Sequence, residues 1–215
     1  MERERPLGLG LEQIKSLLLK MGKLSDEAIS RALHGFHEQK DEHVQIRSLS
    51  NTLLILSEEV EDHATELLAL HQPMAGDLRS LKAYIKIAYD MERFGRYALD
   101  ISNILTQVGP WKPYENGKLT VKEMGDEVLK IIKLALTLIE TRDQSLIWEL
   151  SEVESNVDEF YSKNLTKLGN SKEADARTVL AYLLTIRYLE RISDHACYIA
   201  ESITYATTGK RITLR

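Results

Sequence analysis

The apolar positions along this chain recur at intervals of three and four residues, the spacing that places them on one face of an α-helix. The first such stripe runs from Leu11 to Met21 and continues beyond Gly22. Ser25 comes directly before the acids of the run SDEAISRAL. Because serine and nearby acids favour a helix N-terminus, Ser25 is predicted to be a helix N-cap.

Five further helices are predicted from the same spacing. They lie at about 41–71, 75–108, 119–141, 143–168 and 172–207. Pro73 separates the first two of these, because proline lacks an amide hydrogen and disfavours helix just before it. The strongest cluster of helix breakers, QVGPWKPYENGKL, lies at the midpoint of the chain and holds two prolines and two glycines. The pattern is therefore three long helices, a linker and three more long helices, which suggests a duplication.

The two halves are also related in sequence. A shift of 98 residues aligns GDLRSLKAYIKIAYDMERFGRYALDI with ADARTVLAYLLTIRYLERISDHACYI, and the dipeptide Met-Gly recurs at 21–22 and 124–125. About a hundred residues are enough for a three-helix bundle with its own core. The sequence therefore predicts an all-α protein of two tandem homologous antiparallel three-helix bundles, at 8–108 and 118–208, joined by a linker at 109–117.

Composition agrees with this fold class and limits the function. The 215 residues include 11 Gly and 4 Pro, too few for the turns of a β-sandwich or barrel. The 33 acids outnumber the 28 bases, which argues against a protein that grips nucleic acid by its phosphates. A single cysteine, Cys197, fits a reducing compartment. With no signal-peptide pattern and no membrane-spanning apolar run, we expect a cytoplasmic protein.

Pairs of acids on two of the predicted helices are the most informative local pattern. Glu190 and Asp194 lie four residues apart, and Glu154 and Asp158 repeat that spacing on the preceding helix. Residues four apart share a helix face, so their like charges favour either a solvated surface or a bound cation. If the helices are antiparallel neighbours, four oxygen donors converge, which suits hard divalent ions and bridged iron. His195 points about 100° away around the helix.

Two stretches of the chain resemble the two signatures of the PhoU family of phosphate-uptake regulators. They are ALHQPMAGDLRSLKAYIKIAYDMERFGR and LLTIRYLERISDHACYIAES. The family motif in each half is close to LERIGDHA, from which LERISDHA differs only at Ser193. The resemblance extends over about 11–207, and it implies two three-helix bundles related by pseudo-twofold symmetry.

The resemblance also implies a biological role. Family members are cytoplasmic, often dimeric, negative regulators of phosphate uptake and phosphate-starvation signalling. The partners implied are the ATPase subunit of the phosphate ABC transporter and a membrane sensor histidine kinase. The family binds metal ions, often as iron or zinc clusters, through E(D)xxxD motifs on two helices of each bundle.

The metal ligands implied by the resemblance are complete in only one half. In the second half they fall on Glu154, Asp158, Glu190 and Asp194. In the first half the positions expected to carry acids on the second helix hold Ser50 and Leu54, and Arg96 replaces the acid that follows Glu92. We therefore expect a metal site in the second bundle only.

The first half retains a weaker, degenerate set of acids at Asp90 and Glu92. Arg96 brings a guanidinium to the position of a metal charge, within reach of Glu92 and Asp100 one helical turn away. The hypothesis is that the first bundle has replaced its metal with an internal ion pair.

The predicted function is that of a non-enzymatic adaptor that docks helical surfaces onto partners of phosphate transport and signalling, most simply as a homodimer. A regulatory module of another transporter or of an ion channel is the alternative. A carboxylate-bridged di-iron enzyme is less favoured, because its Glu-x-x-His pairs would need histidine where Ser193 and Val157 stand. A DNA-binding regulator is disfavoured by the acidic balance.

Overall fold

The computed structural model of the protein describes residues 6–114, 119–172 and 174–214. These ranges contain six α-helices and no strand. The helices are α1 (Pro6–Glu38), α2 (His43–His71), α3 (Gly76–Val108), α4 (Val121–Thr141), α5 (Leu146–Gly169) and α6 (Ala176–Thr208). The all-α prediction is confirmed, and the bounds of α2 to α6 differ from the predicted ones by at most four residues.

The N-cap predicted at Ser25 is wrong, because α1 runs without a break through this position. Ser25 is buried in the middle of the helix, and its Oγ donates a hydrogen bond to the carbonyl of Met21 at 2.9 Å. A serine hydroxyl satisfied by the preceding turn is compatible with a continuous helix. The acids that follow Ser25 therefore do not mark a helix start.

The six helices form two three-helix bundles in tandem, as predicted. Helices α1, α2 and α3 pack on one another, and so do α4, α5 and α6. The bundles meet through two helix pairs, α3 with α6 and α1 with α4, which leaves α2 and α5 on the outside. The apolar stripe of each helix faces the shared core, since stable packing requires each amphipathic face to be covered.

The contact between α1 and α4 is made of two copies of the same arrangement. A Cβ at Gly22 would collide with the side chain of Leu136, and a Cβ at Gly125 would lie 3.0 Å from Cδ1 of Leu33. Gly22 and Leu33 are each 103 residues from their counterparts Gly125 and Leu136, the shift at which the Met-Gly dipeptide recurs. The repeated glycine therefore makes room for a leucine of the opposite bundle.

Helices α3 and α6 run antiparallel, with the start of each beside the end of the other. A Cβ at Gly209 would lie 3.7 Å from Cζ of Arg79, and a Cβ at Gly109 would lie 3.7 Å from Nη1 of Arg177. Both glycines have a positive φ, 74° and 79°, in the region that glycine enters without strain. A pseudo-twofold axis between the bundles relates these two glycine–arginine contacts to each other.

The described part of the predicted linker is fixed to both bundles; residues 115–117 of that linker lie outside the described ranges. Trp111 is buried and stacks on Phe36 of α1 with ring centroids 5.1 Å apart, an internal packing position. Gln39 donates to the Trp111 carbonyl at 2.7 Å, and Thr178 of α6 donates to the Lys112 carbonyl at 3.2 Å. None of the helices in the described ranges is long and apolar enough to cross a membrane.

Candidate functional site

The four acids predicted as ligands in the second half lie on α5 and α6, which pack against each other. Glu154 and Asp194 are buried, with exposed fractions of 6% and 7%. Asp158 is exposed, and Glu190 is half-buried. Two carboxyl groups are therefore taken largely out of water, which is unfavourable for charged groups unless a counterion compensates.

Three of these acids influence one another electrostatically. Burial raises the pKa of Glu190, and the negative charges of Asp194 and Asp158 raise it further. The positive charges of Arg187 and Arg191 act in the opposite direction. Negative charge from both helices thus acts on Glu190, and it makes positive charge favourable there.

Arginine side chains supply that positive charge in the structure. Nη1 of Arg187 donates to Glu190 at 2.8 Å, and Nη1 of Arg191 donates to Asp194 at 2.7 Å. Within the described ranges, no three histidine, cysteine or acidic side chains come close enough together to hold one metal ion. The donor chemistry suits a hard cation, whereas the side-chain positions are those of ion pairs within a helix.

An open cavity of about 660 Å³ lies beside the two acids of α5. Glu154 and Asp158 line it together with Trp148 and other residues of α5, and 212–214, in the non-helical segment that follows α6, also line it. The amide of Leu214 donates to Oε1 of Glu201 at 3.1 Å, which fixes this C-terminal segment against α6. The helical periodicity of apolar residues could not predict this wall of the cavity, because the C-terminal segment is not helical.

In the first bundle Arg96 pairs with one of the two acids that lie within its reach on α3. Nε of Arg96 lies 3.8 Å from Oε1 of Glu92, and Arg93 approaches the same carboxylate at 3.7 Å. Burial raises the pKa of Asp100, and the charge of Arg96 opposes that shift. Arg96 therefore provides positive charge on this face of α3.

The second helix of the first bundle leaves little space for further acids. A Cβ at Gly95 would lie 2.7 Å from Cδ1 of Leu53 and 3.1 Å from Cα of Ser50. At the equivalent place in the second bundle Ser193 stands at the glycine position and Glu154 at the Ser50 position. Direct contact between α2 and α3 thus fills the region that carboxylates occupy between α5 and α6.

Asp90, the other acid considered for the first half, faces the second bundle. Oδ1 of Asp90 accepts a hydrogen bond of 2.8 Å from Nδ1 of His195, and both side chains are buried. Burial raises the pKa of Asp90, while the hydrogen bond from His195 opposes that shift. Nε2 of His195 lies 3.5 Å from Oη of Tyr97. The His195 side chain points about 100° away from the adjacent Asp194 around α6, and this direction faces α3.

Sequence reasoning missed this pair, although the aligned repeats contain a signal for it. Asp90 aligns with Tyr188, and His195 aligns with Tyr97. The rings of these two tyrosines are stacked across the same helix pair, with centroids 6.0 Å apart. The pseudo-twofold axis thus relates two equivalent contacts. One is an acid–histidine pair, and the other is a pair of stacked tyrosines.

Comparison with known proteins gives the same fold and the same repeat. The sequence model of the PhoU domain matches the chain at residues 18–105 and again at 121–203. The phosphate-specific transport system accessory protein PhoU homolog of Clostridium acetobutylicum is 28% identical over 95% of both chains. The homolog of the same name from Aquifex aeolicus is 30% identical over 93% of this chain and 92% of its own length.

A solved structure supports the assignment in three dimensions. The crystal structure of PhoU from Pseudomonas aeruginosa matches with a TM-score of 0.86 and 28% identity, over 94% of this chain and 99% of that one. The names of these relatives describe an accessory protein rather than an enzyme, which agrees with the predicted absence of catalytic activity. Because the domain model accounts for most of the chain in two consecutive matches, the protein belongs to the PhoU family.

Proposed function

We propose that this protein is an accessory protein of phosphate transport that represses phosphate uptake and phosphate-starvation signalling. The supporting observation is the family match in both repeats, together with near full-length similarity to phosphate-specific transport accessory proteins. The fold suits docking, since α2 and α5 are outer helices that leave one side open to a partner. The proposed action is protein binding rather than bond-making chemistry.

The proposed partners are the ATPase subunit of the phosphate ABC transporter and a membrane sensor histidine kinase, met in the cytoplasm by a homodimer of this chain. Deletion of the gene should release alkaline phosphatase from repression in phosphate-rich medium, and the wild-type gene should restore it. Tagged full-length protein should capture the ATPase subunit and the kinase from membranes, with different yields at high and low phosphate. Unchanged repression together with no capture of either partner would contradict the proposal.

A separate proposal concerns the acids between α5 and α6. We propose that Glu154, Asp158, Glu190 and Asp194 bind metal, with iron or zinc as the expected ion and either a single ion or a cluster. The support is the shared electrostatics of Glu190, whose raised pKa reflects burial and two neighbouring carboxylates. A bound cation would take over the charge neutralisation that Arg187 and Arg191 now provide, and it would tie α5 to α6.

Metal analysis of purified protein tests this second proposal. Glu190→Ala combined with Asp194→Ala should remove most of the bound iron or zinc. Glu58→Ala combined with Asp62→Ala is a matched control, because it removes an exposed acid pair of the same spacing from α2. Metal content that is the same in both double variants and in the wild type would contradict the proposal. A rise in the melting temperature on adding metal, seen in the control and absent from the site variant, gives an independent readout.

A further inference from the structure

A second cavity lies near the C-terminal end of α6. Basic residues line it, in contrast to the cavity beside Glu154 and Asp158, which is called the acidic cavity below. The volume of the second cavity is about 290 Å³, and it is lined by residues of α3, α6 and the C-terminal segment. The lining residues are Lys82, Lys86, Ala83, Glu201, Ser202, Tyr205, Arg211, Ile212 and Thr213. Three cationic side chains from two separate elements therefore face one small space.

Among the described residues these three cations form no direct ion pair, while the charge of Lys86 acts at longer range on Asp90. Within the described ranges neither Lys82, Lys86 nor Arg211 has a carboxylate within 4.0 Å. Nζ of Lys86 lies 5.3 Å from the ring centroid of Tyr198, and the guanidinium of Arg211 lies 5.2 Å from that of Tyr205. Such ring contacts hold the cations in place while leaving N–H groups available to a ligand.

Glu201 is the carboxylate among the described lining residues, and it already accepts a hydrogen bond from the C-terminal segment. Its Oε1 accepts the amide of Leu214 at 3.1 Å, so it helps to position the segment that carries Arg211. Among the described residues, three positive charges thus share the cavity with one negative charge. The excess positive charge favours an anion over a cation or a neutral ligand.

The fold itself does not require these lysines. The residues that align with Lys82 and Lys86 in the other half are Leu180 and Leu184, on the matching surface of α6. The matching region after α3 is covered by 110–114, whose Lys112 carbonyl is hydrogen-bonded to Thr178. The cationic cavity is therefore a property of one side of the pseudo-twofold axis.

We propose that this cavity binds a phosphate-type oxyanion, either as inorganic phosphate or as the phosphoryl group of a small molecule. Lysine and arginine together supply the charge-assisted N–H donors that a multivalent oxyanion takes up. The volume lies at the small end of ligand pockets, so it accommodates a phosphoryl group, and the remainder of a larger ligand would extend outside the cavity. A bound oxyanion would link α3 to the C-terminal segment, whose Ile212 and Thr213 also line the acidic cavity. This site rests on its own lining and not on the proposed partners or on metal.

Equilibrium dialysis of the full-length protein against labelled inorganic phosphate, at low ionic strength, tests the site. Lys82→Ala combined with Lys86→Ala should weaken binding by about tenfold or more, because each lost charge-assisted hydrogen bond is worth about a factor of ten. Lys20→Ala combined with Lys23→Ala is the matched control, since both lysines are exposed on α1 and lie outside the cavity lining. This control should bind within about twofold of the wild type.

Arg211→Ala provides a second variant that does not alter any helix. It should also weaken phosphate binding, while the melting temperature stays that of the wild type. Equal losses in the cavity variant and the Lys20/Lys23 control would show that binding depends only on overall charge, and this result would overturn the proposal. The absence of saturable binding of any anion tested up to about 10 mM would overturn it as well.

Parallel titrations with pyrophosphate, AMP and ATP identify the source of the phosphoryl group. Saturation by inorganic phosphate alone assigns the site to the free ion, and tighter binding of AMP or ATP that is lost in the Lys82/Lys86 variant assigns it to a phosphorylated small molecule. Vesicles of phosphatidylglycerol form a further arm. Lysine-dependent binding to these vesicles, without binding of any soluble anion, would overturn the proposal in favour of a membrane surface.

Discussion

The two bundles share one backbone arrangement but fill equivalent contacts with different chemistry. Across α3 and α6, Asp90 and His195 form a buried acid–histidine pair on one side of the pseudo-twofold axis. On the other side the same two positions hold Tyr188 and Tyr97, whose rings stack. The difference shows that the repeated backbone determines which positions contact each other. The side chains at the two contacts are complementary in different ways, as an acid with a histidine in one case and as two aromatic rings in the other.

The outer helices differ in the same way. At Gly95 the backbone of α2 approaches α3 directly, and α2 carries Ser50 and Leu54 where the family resemblance implies acids. In the second bundle Ser193 takes the position of Gly95, so the equivalent pair of helices, α5 and α6, has a side chain at this crossing. Glu154 and Asp158 lie on α5. The close contact at Gly95 thus takes the place that the buried Glu154 side chain occupies in the second bundle.

The largest expected effect comes from breaking the acid–histidine pair. His195→Ala should lower the free energy of unfolding by about 3–5 kcal/mol, because it leaves the buried Asp90 carboxylate without its partner. Tyr97→Phe, at the symmetry-related position, should cost about 1 kcal/mol or less, since only a hydroxyl is lost. Urea unfolding of both variants measures the difference. Similar losses in the two variants would mean that the acid–histidine and tyrosine contacts are energetically equivalent.

A double variant separates the loss of the pair from the loss of packing. Adding Asp90→Leu to His195→Ala should recover part of the stability, because no buried carboxylate then remains. Strictly additive losses would contradict the direct interaction between the two residues.

A smaller effect is expected from exchanging the residues at the two helix crossings. Gly95→Ser should cost about 1–3 kcal/mol, because its Cβ would press on Leu53 and on the Ser50 backbone. Ser193→Gly in the second bundle should cost only about 0.5 kcal/mol, from the higher conformational entropy of glycine. Thermal or urea unfolding of this reciprocal pair tests the comparison. A costly Ser193→Gly with a harmless Gly95→Ser would invert the packing argument.

The smallest expected effect is a change in the pH dependence of stability. The folded-state pKa of Asp90 is raised by burial. The stability contributed by this group is therefore complete below the pKa of the unfolded chain, about 3.9, and is lost as the pH rises through the folded-state value.

Unfolding free energies from pH 4 upward measure this change. The advantage of the wild type over Asp90→Asn should decline with increasing pH. The difference between the wild type and Tyr188→Phe should stay flat below pH 7, because tyrosine is neutral in this range and burial raises the pKa of Tyr188 further. A wild-type advantage over Asp90→Asn that grows with pH would contradict the sign of the Asp90 shift.

The helices and the duplication could be predicted because they depend on local spacing. Apolar periodicity gave the spans of α2 to α6, and the aligned repeats gave the two bundles. The predicted cap at Ser25 failed because a buried serine can bond within its own helix, and nothing local distinguishes that case from a helix start. The approach of Arg96 to Glu92 was predictable because the two residues are one helical turn apart.

The remaining parts of the sites depend on contacts between distant segments. Asp90 and His195 are separated by 105 residues, and neither helix alone indicates that they meet. The cationic cavity joins two lysines of α3 to Arg211 in a segment without periodicity. Such sites require the three-dimensional arrangement of the bundles, which spacing along one helix does not contain.

The unequal burial of the two tryptophans gives this protein a pair of separable optical probes. Trp111 is 6% exposed beside Phe36, whereas Trp148 is 83% exposed at the rim of the acidic cavity. Emission from Trp111 should be blue-shifted and shielded from a soluble quencher, and emission from Trp148 should be red-shifted and readily quenched. Separation of the bundles would therefore alter the first signal, and occupation of the α5 surface would alter the second, without any added label.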